Sequence, residues 1–410
     1  MKLKTLAGIL AVAGLAMPGM ASATNGMSAM GVGVKEQAMG GASIAFAQSA
    51  MAGATNPAAM SAVGDRIDFG VNLFVPKREA NDHAAAGGSG DSNYHSGGNN
   101  NFIIPEFGYN MMMGEKMSLG IVVYGNGGMN TTYGAKFFGG NPTYSNIEQL
   151  FIAPTMSFKI APNHSIGVSL NLVRQTAEFK GLANFAAITP SGTTNNLTDV
   201  GQDVSYGAGL RLGYLGQLSP TVSAGAFYQP KTRMDKFDKY KELFAEQGGF
   251  DIPATYGLGL AVKASDKVTV AADLSKIDYS EVKSIANLNN SAAGVKLGTD
   301  NGPGFGWKDI TVFKLGVAYD YRPDLTLRAG WNHGDNPLQN SETNFNILAP
   351  ATITDHLSFG ATWVLANKSE LSVTYWHGFN KEVKGTGAGA GTADLKMYQD
   401  SVGAAYGWKF

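Results

Sequence analysis

Ser401-Val402-Gly403-Ala404-Ala405-Tyr406-Gly407-Trp408-Lys409-Phe410 sets an apolar or aromatic side chain at every even position and a small or polar one at every odd position until the chain end. A period of two places the two sets on opposite faces of a strand, so the faces meet different surroundings. The alternation recurs upstream in Ile67, Phe69, Val71, Leu73 and Val75. It recurs again in Thr311, Phe313, Leu315, Val317, Tyr319 and Tyr321, in Leu325 to Asn332, and in Leu357, Phe359, Ala361 and Trp363. Aromatic residues gather near several strand ends, as they do in the interfacial girdles of membrane barrels. An edge strand of a soluble sandwich carries the same local pattern, so the rest of the chain has to separate the two.

The N-terminus does so. Lys2 and Lys4 precede an apolar run from Leu6 to Met17, and Ala21-Ser22-Ala23 ends it with small residues. This is the layout of a secretory signal peptide, with a run too short to span a bilayer. Residues 1–23 are therefore expected to be removed, leaving a mature chain from Thr24. No later stretch approaches 18 continuous apolar residues, the length at which a transmembrane helix is read. The chain has 54 Gly, 15% charged residues and 10% aromatics, yet its mean hydropathy is only −0.08. Strands with one lipid face and one watery face average out in this way. A net charge of −1 gives no electrostatic footprint for nucleic acid. Cys is absent, so disulfides and thiolates play no part.

Connections alternate between short and long. Short turns fall at Gly114-Glu115, Pro162-Asn163, Ser219-Pro220, Ser265-Asp266, Pro323-Asp324 and Asn367-Lys368. Long polar connections fall near 78–101, 126–146, 181–200, 234–250, 285–305, 333–353 and 385–393. Six turns and seven loops join 14 strands, an even number that leaves both termini on the periplasmic side with the long loops outside. The expected fold is all-β: a 14-stranded antiparallel transmembrane β-barrel over residues 66–410, in the bacterial outer membrane. Closure is a necessity, because an open edge in lipid leaves backbone groups unpaired. The aromatic last residue, Phe410, is the usual signal read by the barrel-assembly machinery.

Residues 24–65 do not alternate and are rich in Gly, Ala and Met. They are either a flexible tail or a compact plug inside the barrel, and the ordered-turn chemistry of Asn56-Pro57-Ala58 favours a plug. Here the sequence resembles a known family. Asn25-Gly26, Gly31-Val32-Gly33-Val34-Lys35-Glu36, Met39-Gly40-Gly41-Ala42 and Asn56-Pro57-Ala58 are similar to the start of the FadL-type outer-membrane transporters of long-chain fatty acids and other hydrophobic compounds. Ile104-Pro105-Glu106, Gly306-Trp307-Lys308-Asp309 with Leu315-Gly316, Asp335-Asn336-Pro337 and Tyr375-Trp376-His377-Gly378 extend the resemblance over nearly the whole mature chain.

The resemblance implies a mechanism without catalysis or cofactor. Residues 24–65 would be a hatch that blocks the lumen. A hydrophobic molecule, long-chain fatty acids first among them and neutral aromatic or aliphatic hydrocarbons as the alternative, would lodge between the outer loops. It would then pass to a pocket at the hatch and leave sideways into outer-membrane lipid through a kink in the third strand. An apolar molecule handed directly to lipid keeps its burial. Gly125-Asn126-Gly127-Gly128 is the candidate kink, since clustered Gly weakens a ladder; alternatively the strand simply ends there. Phe237, Tyr240, Leu243 and Phe244 have helical spacing, with Lys236, Asp238, Lys241 and Glu242 between them. Their apolar face can form a capture groove with Leu182, Phe185 and Ile188, or the loops can pack on one another for stability. Lys283 shares the parity of Thr269, Ala271, Asp273 and Ser275 and lies where the family has a basic head-group ligand, although Glu281 stands nearby as a rival partner. The family's second basic ligand, on the fifth strand, is met here by Thr176; Arg174, two residues earlier, has the parity of the lipid face. Lys314 and Arg328 are further lumen charges without family support.

Catalysis finds little to work with. His83, His95, His164, His333, His356 and His377 lie mostly in turns or loops, without a nucleophile elbow or an H-x-x-x-H metal pattern. A general porin would need a charged constriction and no hatch, and an adhesin would use the long loops as its contact surface. Deleting residues 24–65 separates these classes: a plugged transporter turns leaky in planar-bilayer conductance, whereas a porin or an adhesin barrel conducts as before.

Overall fold

The computed structural model describes residues 24–83, 92–95, 101–289 and 294–410, with only the backbone of Ser92–His95. The signal-peptide reading of residues 1–23 falls outside the described residues. Fourteen strands follow one another around a closed antiparallel sheet: β1 Arg66–Asp82, β2 Phe102–Met113, β3 Met117–Thr132, β4 Tyr144–Ala161, β5 His164–Lys180, β6 Asp203–Ser219, β7 Val222–Gln229, β8 Ala254–Lys263, β9 Val268–Asp278, β10 Ile310–Arg322, β11 Leu325–Gly334, β12 Asp355–Val364, β13 Glu370–Val383 and β14 Ala393–Lys409. Two short pieces add to the rim, Ser92–His95 on β1 and Arg233–Met234 on β6. β1 closes on β14 in unbroken register from Arg66 opposite Lys409 to Asp82 opposite Ala393. No helix among the described residues is long and apolar enough to cross a membrane.

The alternation read from the sequence becomes the two faces of the wall. On β1, Phe69, Val71 and Leu73 are 43%, 43% and 45% exposed on the outside, while Asp68 and Asn72 point inward at 4% and 2%. On β14, Val402, Tyr406 and Trp408 face out and Ser401 faces in. The six expected turns all sit on one rim and the long connections on the other. Loop boundaries move in both directions: β1 runs on to Asp82 and β3 to Thr132, beyond the expected starts at 78 and 126, whereas β9 stops at Asp278, before the expected start at 285.

Residues 24–64 lie inside the barrel and touch most of its circumference. Glycines on the inner wall make room for them. A Cβ added at Gly330 would fall 2.0 Å from the Gly40 nitrogen, at Gly213 2.1 Å from Asn56 Oδ1, at Gly225 2.3 Å from the Ile44 oxygen and at Gly167 2.3 Å from the Ala58 nitrogen. The backbone of the wall thus touches the backbone of the inner segment directly. Within that segment Ser49 caps one 3-10 turn, Ala50–Ala54, and Asn56 caps the next, Pro57–Ala59, each through its side-chain oxygen.

On the loop side the long connections build a core of their own. Phe179, Phe237, Tyr240, Phe244, Phe250, Tyr279, Trp307 and Phe345 are all buried in it. Because the wall and inner segment meet without a side-chain layer, Gly330→Val is expected to displace the inner segment while the barrel still forms. Conductance of purified protein should rise well above wild type with the heat-modifiable mobility on gels unchanged; wild-type conductance would contradict this contact.

Candidate functional site

β3 is the exceptional strand. Its ladder with β4 runs the full length to Thr132 opposite Tyr144, with a register shift between Gly125 and Gly127 that bulges Asn126. Its ladder with β2 covers only Met117–Val123 against Phe107–Met113. β2 nevertheless continues along β1 as far as Phe102. The described parts of β2 and β3 therefore separate above the Phe107–Val123 pair. Where a kink was expected, at Gly125, Asn126, Gly127 and Gly128, the strand carries a bulge and continues to Thr132.

The inner segment pairs with the edge that β2 leaves. Ala29 N–H donates to the Asn126 oxygen at 3.2 Å, and Gly128 N–H donates to the Met27 oxygen at 3.0 Å. A Cβ on Gly127 would come within 2.0 Å of that Met27 oxygen. Arg78 of β1 reaches Asn130 of β3 at 3.3 Å, spanning the separation. Below it, Phe107, Val123 and Leu150 close the wall.

Carboxylates and amides of the wall hold the inner segment through its backbone. Glu106 accepts from Gly33 and Val34 N–H at 3.1 and 2.9 Å, Asp273 from Ser43 and Ile44 at 2.7 and 3.0 Å, and Asp68 from Ala50 at 2.8 Å. Asn110 donates to the Met60 and Gly64 oxygens, both at 2.9 Å. Asn56, expected as ordered-turn chemistry, donates to Ile44 of its own segment and to Tyr214 of β6. With Pro57 and Ala58 it rests against Gly167 and Gly213. Lys35 is ion-paired with Glu370, which also takes Arg66 and Lys409. Burial and the neighbouring Arg66 lower the Lys35 pKa against the pull of Glu370. Burial raises that of Glu36, and the Ser49 hydroxyl opposes it.

The tip of the segment is fastened to the loop core. Met27 N–H donates to Tyr279 Oη at 2.9 Å, and that hydroxyl donates to the Asn25 oxygen at 2.7 Å. Burial pushes the Tyr279 hydroxyl up to about 12, so it stays a donor. Gly26 between them has φ +63°, and its Cβ would strike Tyr279 Oη at 2.4 Å, so only glycine suits this place.

Around the tip lie two cavities. A small one of about 30 Å³ on the loop side is bounded by Gly26, Arg78, Met129, Trp307 and Met397, among others. The other, about 100 Å³, lies between the segment and the wall, and Asn126 and Gln149 at the bulge open onto it. Its apolar lining includes Val32, Ile44, Phe227, Ile252, Ile277 and Val312; its polar lining includes Arg211, Gln229, Ser275 and Lys314.

Several expected residues sit elsewhere. Lys283 is a correction. β9 ends at Asp278 and the chain turns through Tyr279–Glu281, so parity with the lumen face is lost before residue 283. Lys283 opens a helical turn in the loops, its side chain is 42% exposed, and it pairs with Glu246 at 3.1 Å, not with Glu281. Arg174 stands opposite Tyr206 on the outer face, as its parity indicated, and takes no part in the cavity. Phe237, Tyr240, Leu243 and Phe244 form no amphipathic helix; only Asp238–Tyr240 makes a 3-10 turn. All four are at most 2% exposed within the loop core, so they close a core and line no open groove. Leu182 is buried in the same core. Phe185 is half-buried there, ring to ring with Phe138 and Phe345. Arg211 and the inner glycines escaped notice; the signal for both was inward parity on strands already recognised.

Comparison with known proteins agrees with this architecture. A family model described as outer membrane protein transport protein (OMPP1/FadL/TodX) matches residues 10–409. Among solved structures, the Pseudomonas putida toluene transporter TodX is 20% identical with a TM-score of 0.71, covering 93% of this chain and 99% of that one. The Ralstonia pickettii toluene transporter TbuX is 19% identical with a TM-score of 0.66 over 93% and 99%. A Pseudomonas aeruginosa FadL homologue is 16% identical with a TM-score of 0.66 over 93% and 98%. No curated protein matches the sequence.

Glu106 accepts two backbone hydrogen bonds from the segment beside the strand separation, each contributing about 0.5–1.5 kcal/mol. Glu106→Ala should speed hydrogen exchange at Gly33 and Val34 by about tenfold or more, while exchange in the β1–β14 ladder stays unchanged. Equal protection of the two amides in both proteins would remove Glu106 as an anchor.

Proposed function

The chain belongs to the OMPP1/FadL/TodX family of outer-membrane transport proteins, and from that premise we propose that it admits compact hydrophobic molecules and releases them sideways into the membrane. The inner segment acts as a hatch. The observation that carries this reading is the coincidence of three features at one place: the β2–β3 separation, the Asn126 bulge, and the cavity between wall and hatch. A molecule held there is next to the only stretch of wall, among the described residues, where neighbouring barrel strands part well short of a strand end and the hatch supplies hydrogen bonds in their place.

Lateral release follows from the solvents on each side. A hydrophobic molecule loses its burial if it descends into the periplasm but keeps it on passing into lipid. The hatch also closes the direct route, since Ala58, Met60 and Ser61 are buried against the turn-side wall. The passage needs no energy source beyond the concentration difference.

Size favours a compact cargo. A dry engineered cavity of ~150 Å³ takes up benzene, whereas drug-sized ligands need roughly 300–1,000 Å³. At about 100 Å³ the cavity suits a single ring better than an extended acyl chain. The toluene transporters among the structural neighbours accord with this size. Long-chain fatty acids are the second reading, favoured by the two basic side chains, Arg211 and Lys314, in the lining.

The native chain has no cysteine, so Pro105→Cys with Gly125→Cys places a unique thiol pair just beyond the last β2–β3 rung. Bridging them with a cleavable dithiol cross-linker should stop uptake of labelled toluene by cells carrying the protein, and reductant should restore it. Undiminished uptake in the bridged protein would sink the lateral route. Uptake of oleate but not of toluene would overturn the compact cargo.

A further inference from the structure

Above the Phe107–Val123 pair the wall is parted, yet a chain of four side chains crosses the gap. Arg78 Nη2 donates to Asn130 Oδ1 at 3.3 Å, Asn130 Nδ2 to Asn146 Oδ1 at 2.9 Å, and Asn146 Nδ2 to Glu148 Oε1 at 2.9 Å. The members come from β1, β3 and β4, and none comes from β2.

The faces on which these residues stand matter. Arg78 has the inward parity of Asn72 and Asp82 on β1. Asn130 stands opposite Asn146, and Asn146 and Glu148 share the parity of Met156, which is exposed on the outside. The guanidinium therefore leaves the lumen side of β1 and meets an amide on the outer side of β3. An intact wall would block that crossing, since lower down β2 lies between these two strands. Arg78, Asn146 and Glu148 are all buried. Buried polar groups are rarely left without partners, and here the chain supplies them.

The chain has a direction. A guanidinium can only donate and a carboxylate can only accept. Glu148 thus fixes the Asn146 amide with its nitrogen toward the carboxylate, which leaves its oxygen for Asn130. Asn130 in turn presents its own oxygen to Arg78. Bonds aligned head to tail between a cation and an anion polarise one another in the same sense. Arg78 is also held from its own strand, where its Nη1 donates to the Pro76 oxygen at 3.0 Å. The small loop-side cavity is bounded by Arg78 and Asn130, and Asn130 lies nearer the loop end of β3 than the Asn126 bulge. A molecule descending from the loops meets this chain before it reaches the bulge.

We propose that Arg78 and Asn130 are the latch of the lateral opening, that Asn146 and Glu148 are its positioning residues, and that the latch sets the width through which cargo leaves. The inference rests on the proposed function, in which the separation is the route of release. Among the described residues β3 has no ladder to β2 at this height, and the Arg78–Asn130 bond ties its edge back to β1. Closed, the latch confines the opening to the stretch at the bulge, where a single ring passes. Broken, it lets the upper part of β3 move away from β1, and the opening lengthens toward the loops.

The test combines a distance with a transport ratio. The native chain has no cysteine, so Lys77→Cys with Arg174→Cys in the mature protein gives two nitroxide sites on the outer face, on either side of the separation. Double electron–electron resonance then reads the distance between them. Asn130→Leu keeps the volume and loses the bond, and its distance distribution should broaden about twofold or more as an unlatched population appears. Asn130→Asp still accepts from Arg78, so its distribution should stay as narrow as the parent's. In cells, Asn130→Leu should raise the uptake of labelled naphthalene relative to toluene by about threefold or more, the scale of one lost hydrogen bond, and Asn130→Asp should leave the ratio unchanged. An unchanged distance distribution in Asn130→Leu overturns the latch. Broadening in Asn130→Asp as well overturns the Arg78 bond as its basis. A broadened distribution with an unchanged uptake ratio overturns its control of cargo size. Failure of toluene to enter through the parent protein sinks the proposed function, and the distances then decide the latch by themselves.

Discussion

Everything in this fold answers to the demand that a backbone in lipid pair its own hydrogen-bonding groups. The wall meets it by closing β1 on β14 over the whole length of both strands. Each unpaired group in the hydrocarbon region costs roughly several kcal/mol, so a barrel has little freedom to part its strands. The separation of β2 from β3 is the place where this demand is met by other means. Met27 and Ala29 pair with the edge of β3, and Glu106 on β2 turns inward to grip Gly33 and Val34. The hatch is therefore part of the hydrogen-bond closure of the wall as well as a stopper in its lumen.

The architecture was legible because it is periodic. Alternation in segments such as Ile67 to Val75 and Val402 to Phe410 assigns each side chain to lipid or lumen, and the assignment holds along the strands. The alternation of short turns with long loops then fixes the strand number. The inner position of residues 24–64 was open on composition, which suits a flexible tail as well as a plug; the Asn56-Pro57-Ala58 turn and the family resemblance pointed to the plug. What composition could not supply was the wall's side of the bargain: Gly167, Gly213, Gly225 and Gly330 look like weak points of strands in sequence and prove to be the contact surface for the hatch.

The site was less legible, and the failures have physical causes. Lys283 was placed by extending a period of two past Asp278, where the strand has already given way to a helical turn. Parity has meaning only while the ladder continues. Phe237, Tyr240, Leu243 and Phe244 do pack in one cluster, but their spacing records mutual burial without a helix, and here it serves a core with Phe179 and Phe250. Arg211 was invisible for the opposite reason. It sits mid-strand with the correct parity and no motif around it, and only the three-dimensional convergence of β6 with β7, β9 and β10 reveals its neighbours.

The glycine surface has a bearing on how such barrels diversify. Where backbone meets backbone, neither partner has side-chain volume to trade. A larger residue on the wall at 225 or 330 demands a retreat of the main chain at Ile44 or Gly40, not a smaller side chain. Hatch and wall are thus matched as casts of one another, and the match is specific to the sequence position of each glycine. Two barrels with the same strand number and the same turns would exchange hatches only if their inner glycines lay in the same pattern. The long loops above, which pack through side chains, carry no such restriction and are the freer ground for new specificities.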